Sequence, residues 1–323
     1  MDLQPVVILA NKKGKAWDFA EKIYNNLNSR PDRQRRYKLG EVEILKFNDG
    51  ELFVKVLENV RSKQCYFIHD SSVNPQDWLV SLGLVNDALR RSSASEVNNV
   101  LPYMKFSRQD RMTEPRTPIS SSFVADIINR SADRVLTSDL HNPATEGSYR
   151  IPFDNLKAFP TMIKYLRERF SDIIDSAIIV APDAGSAKRA ESYAKRLNLD
   201  VAIAHKKREA AGQIGDMTII GEVRDKNAII VDDLIDTGGT LCKAADVLIQ
   251  KGAKNVYACA THGLLSLDAK EKIGCSLFEK VVCGNTIPQE FEGKIEVVDI
   301  SSLFAEAIFR ITHGASISEL FKK

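Results

Sequence analysis

The part of the chain that most constrains its fold is residues 228–251, with the sequence AIIVDDLIDTGGTLCKAADVLIQK. Four apolar residues, 228–231, predict a strand that is buried on both faces of a parallel sheet. Two carboxylates, Asp232 and Asp233, are expected to end this strand. Beyond a short turn, apolar residues recur with the i, i+3, i+4, i+7 spacing of an amphipathic helix, at Leu241, Ala244, Ala245 and Leu248. The glycines of the stretch are therefore predicted to lie in a strand-to-helix turn.

This turn has the chemistry of a phosphate site. It contains Asp236, Thr237, Gly238, Gly239 and Thr240. The unpaired N–H groups of the first helical turn, the helix dipole and the Thr hydroxyls can converge there on a phosphate. A phosphate placed directly on the neighbouring carboxylates would be repelled, so a sugar phosphate explains the motif better. Its phosphate would lie in the turn, and its hydroxyls would donate hydrogen bonds to Asp232 and Asp233.

Composition bounds the class of protein. The chain has 323 residues, which is room for two domains of ordinary size. A net charge of +2 gives no reason to expect nucleic acid or a membrane as a partner. No apolar run approaches the roughly 18–20 residues of a membrane span, and no signal peptide is expected. Five cysteines without a C-x-x-C pair favour a reducing compartment, so we expect a cytoplasmic protein.

Apolar runs alternate with helical periodicity along the whole chain. Strands are predicted at residues 6–10, 42–47, 64–69, 100–103, 134–137, 177–181, 201–204, 228–231, 255–261, 281–284 and 295–300. Such alternation predicts an α/β fold with parallel sheets, helices on both faces, and ligands at the carboxyl ends of the strands. The pattern breaks at Pro152 and Pro160 and then restarts, so we predict domains 1–152 and 153–323. SADRVLTSDLH and GAKNVYACATHG look alike, which suggests a duplicated domain.

Three polar segments leave alternatives open. Residues 105–122 are long for a mere connection, and Arg108, Arg111 and Arg116 in them either bind polyphosphate or belong to an exposed charged loop. The segment FNDGE, residues 47–51, is by itself predicted to be a hairpin turn. The basic run from Arg30 to Lys38 could be a nucleic-acid patch, but its short length favours a solvated loop.

Motifs of several common enzyme classes do not occur in this sequence. We find no G-x-x-x-x-G-K-[ST], G-x-G-x-x-G, H-E-x-x-H or G-x-S-x-G. His141 and Asp183 each follow a predicted strand, one in each half, and with Asp139 could hold a hard cation such as Mg²⁺. A lone His is more often structural, and the run 206–208 is by itself more often a solvated charge cluster.

The residues nevertheless match a known family. VDDLIDTGGT resembles the phosphoribosyl diphosphate loop that phosphoribosyltransferases share with ribose-phosphate diphosphokinases, also called phosphoribosyl pyrophosphate synthetases. Further segments are similar to the second family alone, in the same order and at similar spacing: SRQDRMTEPRTPIS, SADRVLTSDLH, VAPDAGSAKRA, AHKKRE, CATHGLLS, GNTIPQE and DISSLFAEAI. The resemblance covers nearly the whole chain. It implies two tandem phosphoribosyltransferase-like domains, Mg²⁺ dependence, ATP and ribose 5-phosphate as substrates, and self-association to dimers and hexamers.

The resemblance also implies roles for individual residues. Ribose 5-phosphate would be bound by Asp232, Asp233, Asp236, Thr237, Gly238, Gly239 and Thr240. ATP would be bound by Phe47, Asp49, Glu51, Arg108, Gln109, Asp110 and His141. A neighbouring subunit would supply the FNDGE loop, so that Phe47 and Arg108 flank the adenine. His141 and Asp183 match metal-site positions, and Lys206 and Arg208 match a catalytic pair on a flexible loop.

The implied reaction is an in-line attack by the 1-hydroxyl of ribose 5-phosphate on the β-phosphorus of MgATP, with AMP leaving. The chief rival is a non-catalytic regulatory paralogue, against which the retained Lys206 and Arg208 argue. A phosphoribosyltransferase is disfavoured by the ATP-type segments in the first half.

The chain departs from the family pattern in places. Ala144 and Glu146 replace two Gln residues, Gly185-Ser186 replaces Gly-Gly, and the basic run looks like an insertion. None of these changes removes a catalytic position. They concern effector control and subunit packing, so neither ADP inhibition nor phosphate activation is predicted.

Overall fold

The structure is a computed structural model that describes residues 5–32, 35–206 and 217–321. The chain divides into two compact units. Unit 1 comprises Met1–Lys157, Thr286–Gln289 and Ile300–Lys323, and unit 2 comprises Ala158–Asn285 and Glu290–Asp299. Neither unit is continuous in sequence. The predicted functional domains 1–152 and 153–323 remain a prediction.

Unit 1 is built on one seven-stranded sheet. Its strands are β1 (Val6–Ala10), β2 (Tyr37–Lys46), β3 (Leu52–Val56), β4 (Gln64–Ile68), β5 (Glu96–Leu101), β6 (Arg134–Ser138) and β7 (Phe153–Leu156). The strand order is β3-β2-β1-β4-β5-β6-β7, and the β2–β3 pair is antiparallel while the others are parallel. The helices between these strands are α1 (Trp17–Asn28), α2 (Pro75–Arg91) and α3 (Ser120–Ser131).

Unit 2 repeats this architecture. Its strands are β8 (Ala177–Ala181), β9 (Asp200–Lys206), β10 (Met217–Ile220), β11 (Asn227–Ile235), β12 (Asn255–Gly263), β13 (Phe278–Gly284) and β14 (Ile295–Val298). Its helices are α4 (Phe159–Arg169), α5 (Ser171–Ile174), α6 (Ala187–Leu197), α7 (Gly239–Gln250) and α8 (Ala269–Cys275). The strand order is β10-β9-β8-β11-β12-β13-β14, with the β9–β10 pair antiparallel. Each strand of the second sheet has the same place in the strand order as the strand numbered seven lower in the first sheet. The two sheets therefore share one topology.

The predicted α/β class and the duplication are therefore confirmed. The two segments that suggested the duplication are, however, not equivalent. SADRVLTSDLH contributes β6, the sixth strand in the order of its sheet, whereas GAKNVYACATHG contributes β12, the fifth strand of the other sheet. The counterpart of β12 is β5, so that pairing of segments was wrong.

Burial explains which elements the sequence pattern identified. The five residues of β1 are all buried, as are the five residues of β8, and both strands appear as continuous apolar runs. Strands β3, β7 and β10 were not predicted, and all three lie at sheet edges. The side chains of β3 alternate between exposed and half-buried, so no such run marks this strand. No helix of the described chain is both long and apolar enough to span a membrane.

The last helix, α9 (Ser301–Thr312), belongs to unit 1 and packs against α1. Part of the basic run also contacts this helix. The guanidinium of Arg30 lies 3.6 Å from the ring centroid of Phe309 and forms an ion pair with Glu306. Tyr37 is buried in β2, and its hydroxyl lies 3.0 Å from Thr312 Oγ1. The prediction of a solvated loop for residues 30–38 is thus wrong at Arg30 and Tyr37, because both residues pack against α9.

Candidate functional site

The turn between β11 and α7 has the open geometry that a phosphate needs. Gly238 has φ +73°, in the left-handed region that favours glycine, and its carbonyl accepts the first turn's hydrogen bond from Cys242 N–H at 2.8 Å. A Cβ added at Gly239 would meet no atom within 4 Å. Thr237 and Thr240 are exposed on either side of the two glycines. The turn therefore presents backbone N–H groups and two hydroxyls to open space.

The two carboxylates lie within β11, not at its end. The strand continues to Ile235, so the prediction that Asp232 and Asp233 end it was wrong. The extension is paired with β12, whose His262 and Gly263 oppose Leu234 and Ile235. Added hydrogen bonds to this long neighbour explain why the strand outlasts its apolar run.

A guanidinium bridges the carboxylate pair. Arg189 Nη1, from α6, lies 3.3 Å from Asp232 Oδ1 and 3.4 Å from Asp233 Oδ1. The Asp233 side chain is 6% exposed and that of Asp232 is 23% exposed. Burial, and then the adjacent charge of Asp233, raise the pKa of Asp232 to about 7. Arg189 opposes this shift, because a nearby cation favours the ionised carboxylate.

Ser186 joins two of the predicted site residues. Its backbone N–H donates to Asp183 Oδ1 at 2.9 Å, and its hydroxyl donates to Asp232 Oδ1 at 2.9 Å. These contacts are possible because β8 and β11 are parallel neighbours, so the segments that follow them meet at one edge of the sheet. Neither Ser186 nor Arg189 had a predicted role, because their contacts with Asp232 depend on which strands are neighbours.

In unit 1, the segment after β5 is anchored at two of its three predicted ATP-site residues. Gln109 accepts hydrogen bonds from the hydroxyl of Ser120 and, through its carbonyl, from Ser121 N–H at 3.1 Å. Asp110 accepts a hydrogen bond from the amide of Asn142. The Arg108 side chain is exposed. The long loop is thus a structured one, as its length suggested.

His141 is brought next to this segment. It lies three residues after the end of β6 and is exposed. The preceding Asp139 has φ +35°, and its N–H donates to Leu156 O at 2.9 Å, which ties the turn to β7. Since Asn142 is bonded to Asp110, the structure places His141 beside the predicted ATP segment.

The FNDGE segment forms the hairpin turn between β2 and β3, as predicted. Phe47 N–H donates to Glu51 O at 2.8 Å, Gly50 has φ +95°, and Glu51 N–H donates to Asp49 Oδ1 at 3.1 Å. The Phe47 side chain is 53% exposed.

Phe47 and Arg108 follow strands that are not neighbours in the sheet. Strands β1 and β4 separate β2 from β5, from which Arg108 follows. At the usual interstrand spacing, three steps amount to about 14 Å.

The remaining predicted residues are distributed as follows. Lys206 is the last residue of β9 and pairs with Met217, while Arg208 lies outside the described residues. Asp183 is exposed in unit 2, whereas His141 belongs to unit 1. Within the described part of the chain, no cluster of three or more His, Cys, Asp or Glu residues could hold a metal ion. The exposed Asp183 carboxylate suits a hard cation that keeps several of its waters.

Comparison with known proteins gives a consistent picture. The family model of the N-terminal domain of ribose phosphate pyrophosphokinase matches residues 7–131, and that of the phosphoribosyl synthetase-associated domain matches residues 209–322. The ribose-phosphate pyrophosphokinase of Aquifex aeolicus is 42% identical over 287 residues, which cover 88% of this chain and 92% of the relative. That of Caldanaerobacter subterraneus subsp. tengcongensis is 43% identical over 288 residues, covering 88% and 90%.

A solved structure is similar along nearly the whole chain. The crystal structure of phosphoribosylpyrophosphate synthetase from Mycobacterium smegmatis superposes with a TM-score of 0.86 at 29% identity. The match covers 97% of this chain and 100% of the other.

Proposed function

This chain belongs to the ribose-phosphate pyrophosphokinase family, and from that membership we propose how its residues carry out the reaction. The enzyme transfers the diphosphoryl group of ATP to the 1-hydroxyl of ribose 5-phosphate, giving 5-phosphoribosyl 1-diphosphate and AMP. The observation that carries the assignment of residues is the β11–α7 turn, where two glycines, of which Gly239 faces open space, follow two adjacent carboxylates.

The acceptor sugar binds at this turn. The 5-phosphate lies against the N–H groups and hydroxyls of residues 236–240, which complement its charge without a side chain in the way. The ribose hydroxyls donate to Asp232 and Asp233, which lie in β11, before the glycines. This polarity orients the sugar with its anomeric carbon away from the phosphate turn. It also explains why acidic residues occur beside an anion site.

The donor nucleotide binds in unit 1, at Arg108, Gln109, Asp110 and His141. Phe47, Asp49 and Glu51 complete the site from a neighbouring subunit. The separation of β2 from β5 in the sheet, with β1 and β4 between them, supports this assignment. Self-association to dimers, and further to hexamers, is therefore part of the proposal.

Mg²⁺ would be held at two separate positions, one at His141 and one at Asp183, with water completing the coordination. When bound, it neutralises charge on the phosphate oxygens and so favours attack on phosphorus. The chain's own part is to align the 1-hydroxyl of the sugar with the β-phosphorus.

In the reaction the 1-oxygen forms a bond to the β-phosphorus while the bond between this phosphorus and the oxygen bridging to the α-phosphate breaks. The hydroxyl proton passes to solvent, and AMP leaves with the bridging oxygen. Lys206 and Arg208 supply positive charge to the transferring group, which needs electrostatic support more than covalent help.

Free thiols at all five cysteines support a reducing, cytoplasmic location.

The test is to incubate the purified chain with MgATP and ribose 5-phosphate and to follow the nucleotide products by chromatography. We expect AMP to form only when the sugar is present, and label placed on the β-phosphate of ATP to appear in the sugar product. ADP formation in place of AMP would contradict diphosphoryl transfer. Absence of any turnover, with ribose 5-phosphate still binding, would favour the non-catalytic regulatory paralogue.

A further inference from the structure

The Asp232 carboxylate is held in an asymmetric way. Its Oδ1 accepts hydrogen bonds from Ser186 Oγ at 2.9 Å, from Asp233 N–H at 2.9 Å, and from Arg189 Nη1 at 3.3 Å. Among the residues that the structure describes, none donates to Oδ2. Three donors on one oxygen fix the plane of the carboxylate and leave its other oxygen for a ligand.

The hydroxyl of Ser186 is used in an unusual way for its position. Ser186 is the N-cap residue of α6, where a Ser side chain ordinarily accepts a hydrogen bond from a backbone N–H of the first helical turn. Here no such cap bond forms, and the hydroxyl donates to Asp232 instead. Ser186 is 5% exposed, so this contact is shielded from competing water.

Arg189 deals with a different problem, the repulsion between adjacent carboxylates. Its Nη1 contacts Oδ1 of both Asp232 and Asp233, and its own side chain is 22% exposed. Two like charges this close, largely out of water, repel each other and raise the pKa of Asp232, a shift that Arg189 opposes. A shared cation keeps them side by side.

We propose that Ser186 and Arg189 are positioning residues that determine how well Asp232 recognises the hydroxyls of the acceptor sugar. The inference rests on the proposed binding of ribose 5-phosphate at the β11–α7 turn. The Ser186 hydroxyl makes a contact to Asp232 that a glycine at this position could not make. The contact adds selectivity for a sugar that presents its 2- and 3-hydroxyls.

The test uses Ser186→Gly, which removes the hydroxyl while losing no helix cap. We expect KM for ribose 5-phosphate to rise about threefold to tenfold, the range for the net contribution of one typical hydrogen bond, with KM for MgATP and the thermal midpoint unchanged. The ratio of kcat/KM for ribose 5-phosphate to that for 2,3-dideoxyribose 5-phosphate should fall by a similar factor.

Arg189 supplies the second arm. Arg189→Ala should raise KM for ribose 5-phosphate by about tenfold to a hundredfold, because two carboxylates are left without their shared cation. Arg189→Lys should recover part of the loss, since the charge returns without the guanidinium fork. Lys195→Ala is the matched control, because it removes an exposed cation from the same helix and should leave both KM values unchanged.

The outcomes separate this inference from the proposed function. If Ser186→Gly lowers the thermal midpoint and leaves KM for ribose 5-phosphate unchanged, the serine is only structural and the inference is overturned. An equal rise in KM for MgATP would overturn it too, since the effect would not be specific to the sugar. If the wild-type chain forms no AMP, the proposed function fails. Calorimetric titration with ribose 5-phosphate then tests the inference alone. Weaker binding by Ser186→Gly than by the wild type would support it, and equal binding would overturn it.

Discussion

The side-chain amide of Asn142 donates a hydrogen bond to the carboxylate of Asp110, so the segment after β6 is tied to the segment after β5. The carbonyl oxygen of the same amide accepts Ala144 N–H at 3.0 Å and caps a short 3₁₀ helix, Pro143–Ser148. One side chain thus connects residues 32 positions apart. This connection holds the predicted ATP segment against His141.

Asn142→Asp tests the importance of this connection. The substitution keeps the capping oxygen but replaces the donor with a second carboxylate facing Asp110, so the two segments should separate. We expect KM for MgATP to rise about tenfold, equivalent to about 1.4 kcal/mol, and KM for ribose 5-phosphate to stay constant. Steady-state kinetics with each substrate varied in turn would measure both. Asn25→Ala, at an exposed position of α1, is the control; an equal effect on both substrates would refute the assignment.

The two glycines of the β11–α7 turn should respond differently to alanine. Gly238 has φ +73°, so Gly238→Ala places a Cβ in a strained conformation and should lower the free energy of unfolding by about 1 kcal/mol. Gly239 begins α7, and a Cβ there meets no atom, so Gly239→Ala should leave stability unchanged or raise it. Its methyl group would occupy space assigned to the phosphate, and affinity for ribose 5-phosphate should fall. Calorimetric titration and urea unfolding of both variants would check this. Unaltered affinity of Gly239→Ala for ribose 5-phosphate would show that the phosphate does not bind at this turn.

The raised pKa of Asp232 predicts a pH dependence of stability. Burial and the neighbouring Asp233 raise it from 3.8 to about 7, so between these values the folded protein binds more protons at this site than the unfolded chain. The free energy of unfolding should therefore fall as pH rises from about 4 to 7 and level off above 7.

The measurement is urea unfolding of wild type and Asp232→Asn from pH 4 to 8, without Mg²⁺ or sugar. The variant cannot ionise at this position, so the wild-type value minus the variant value isolates the Asp232 contribution. This difference should decrease with pH across that window. A constant or increasing difference would show that Arg189 keeps the carboxylate ionised in the folded state.

Lys206→Ala should affect turnover far more than affinity. A cation that interacts with the transferring group mainly in the transition state lowers kcat when it is removed, while KM for either substrate changes little. We expect kcat to fall by at least a hundredfold, which corresponds to about 2.7 kcal/mol or more. Lys254→Ala, at an exposed position before β12, is the control for loss of one positive charge. An unchanged turnover number for Lys206→Ala would refute the catalytic assignment.

The elements that the sequence alone determined are those whose signal is local. The β11–α7 turn could be predicted, apart from the extension of β11 to Ile235, because its strand, glycines and helix are contiguous and each follows from periodicity or backbone sterics. The buried central strands could be predicted for the same reason. The FNDGE hairpin also followed from a short turn motif.

What only the tertiary structure decided depends on which strands are neighbours. Ser186 meets Asp232 because β8 pairs with β11, and Asp110 meets Asn142 because β5 pairs with β6. Neither strand pairing can be inferred from the local pattern of residues. The edge strands β3, β7 and β10, and the packing of α9 against α1, were decided in the same way. Local periodicity specifies how a segment buries its own apolar face, whereas contacts between distant segments depend on the register and order of the assembled sheet.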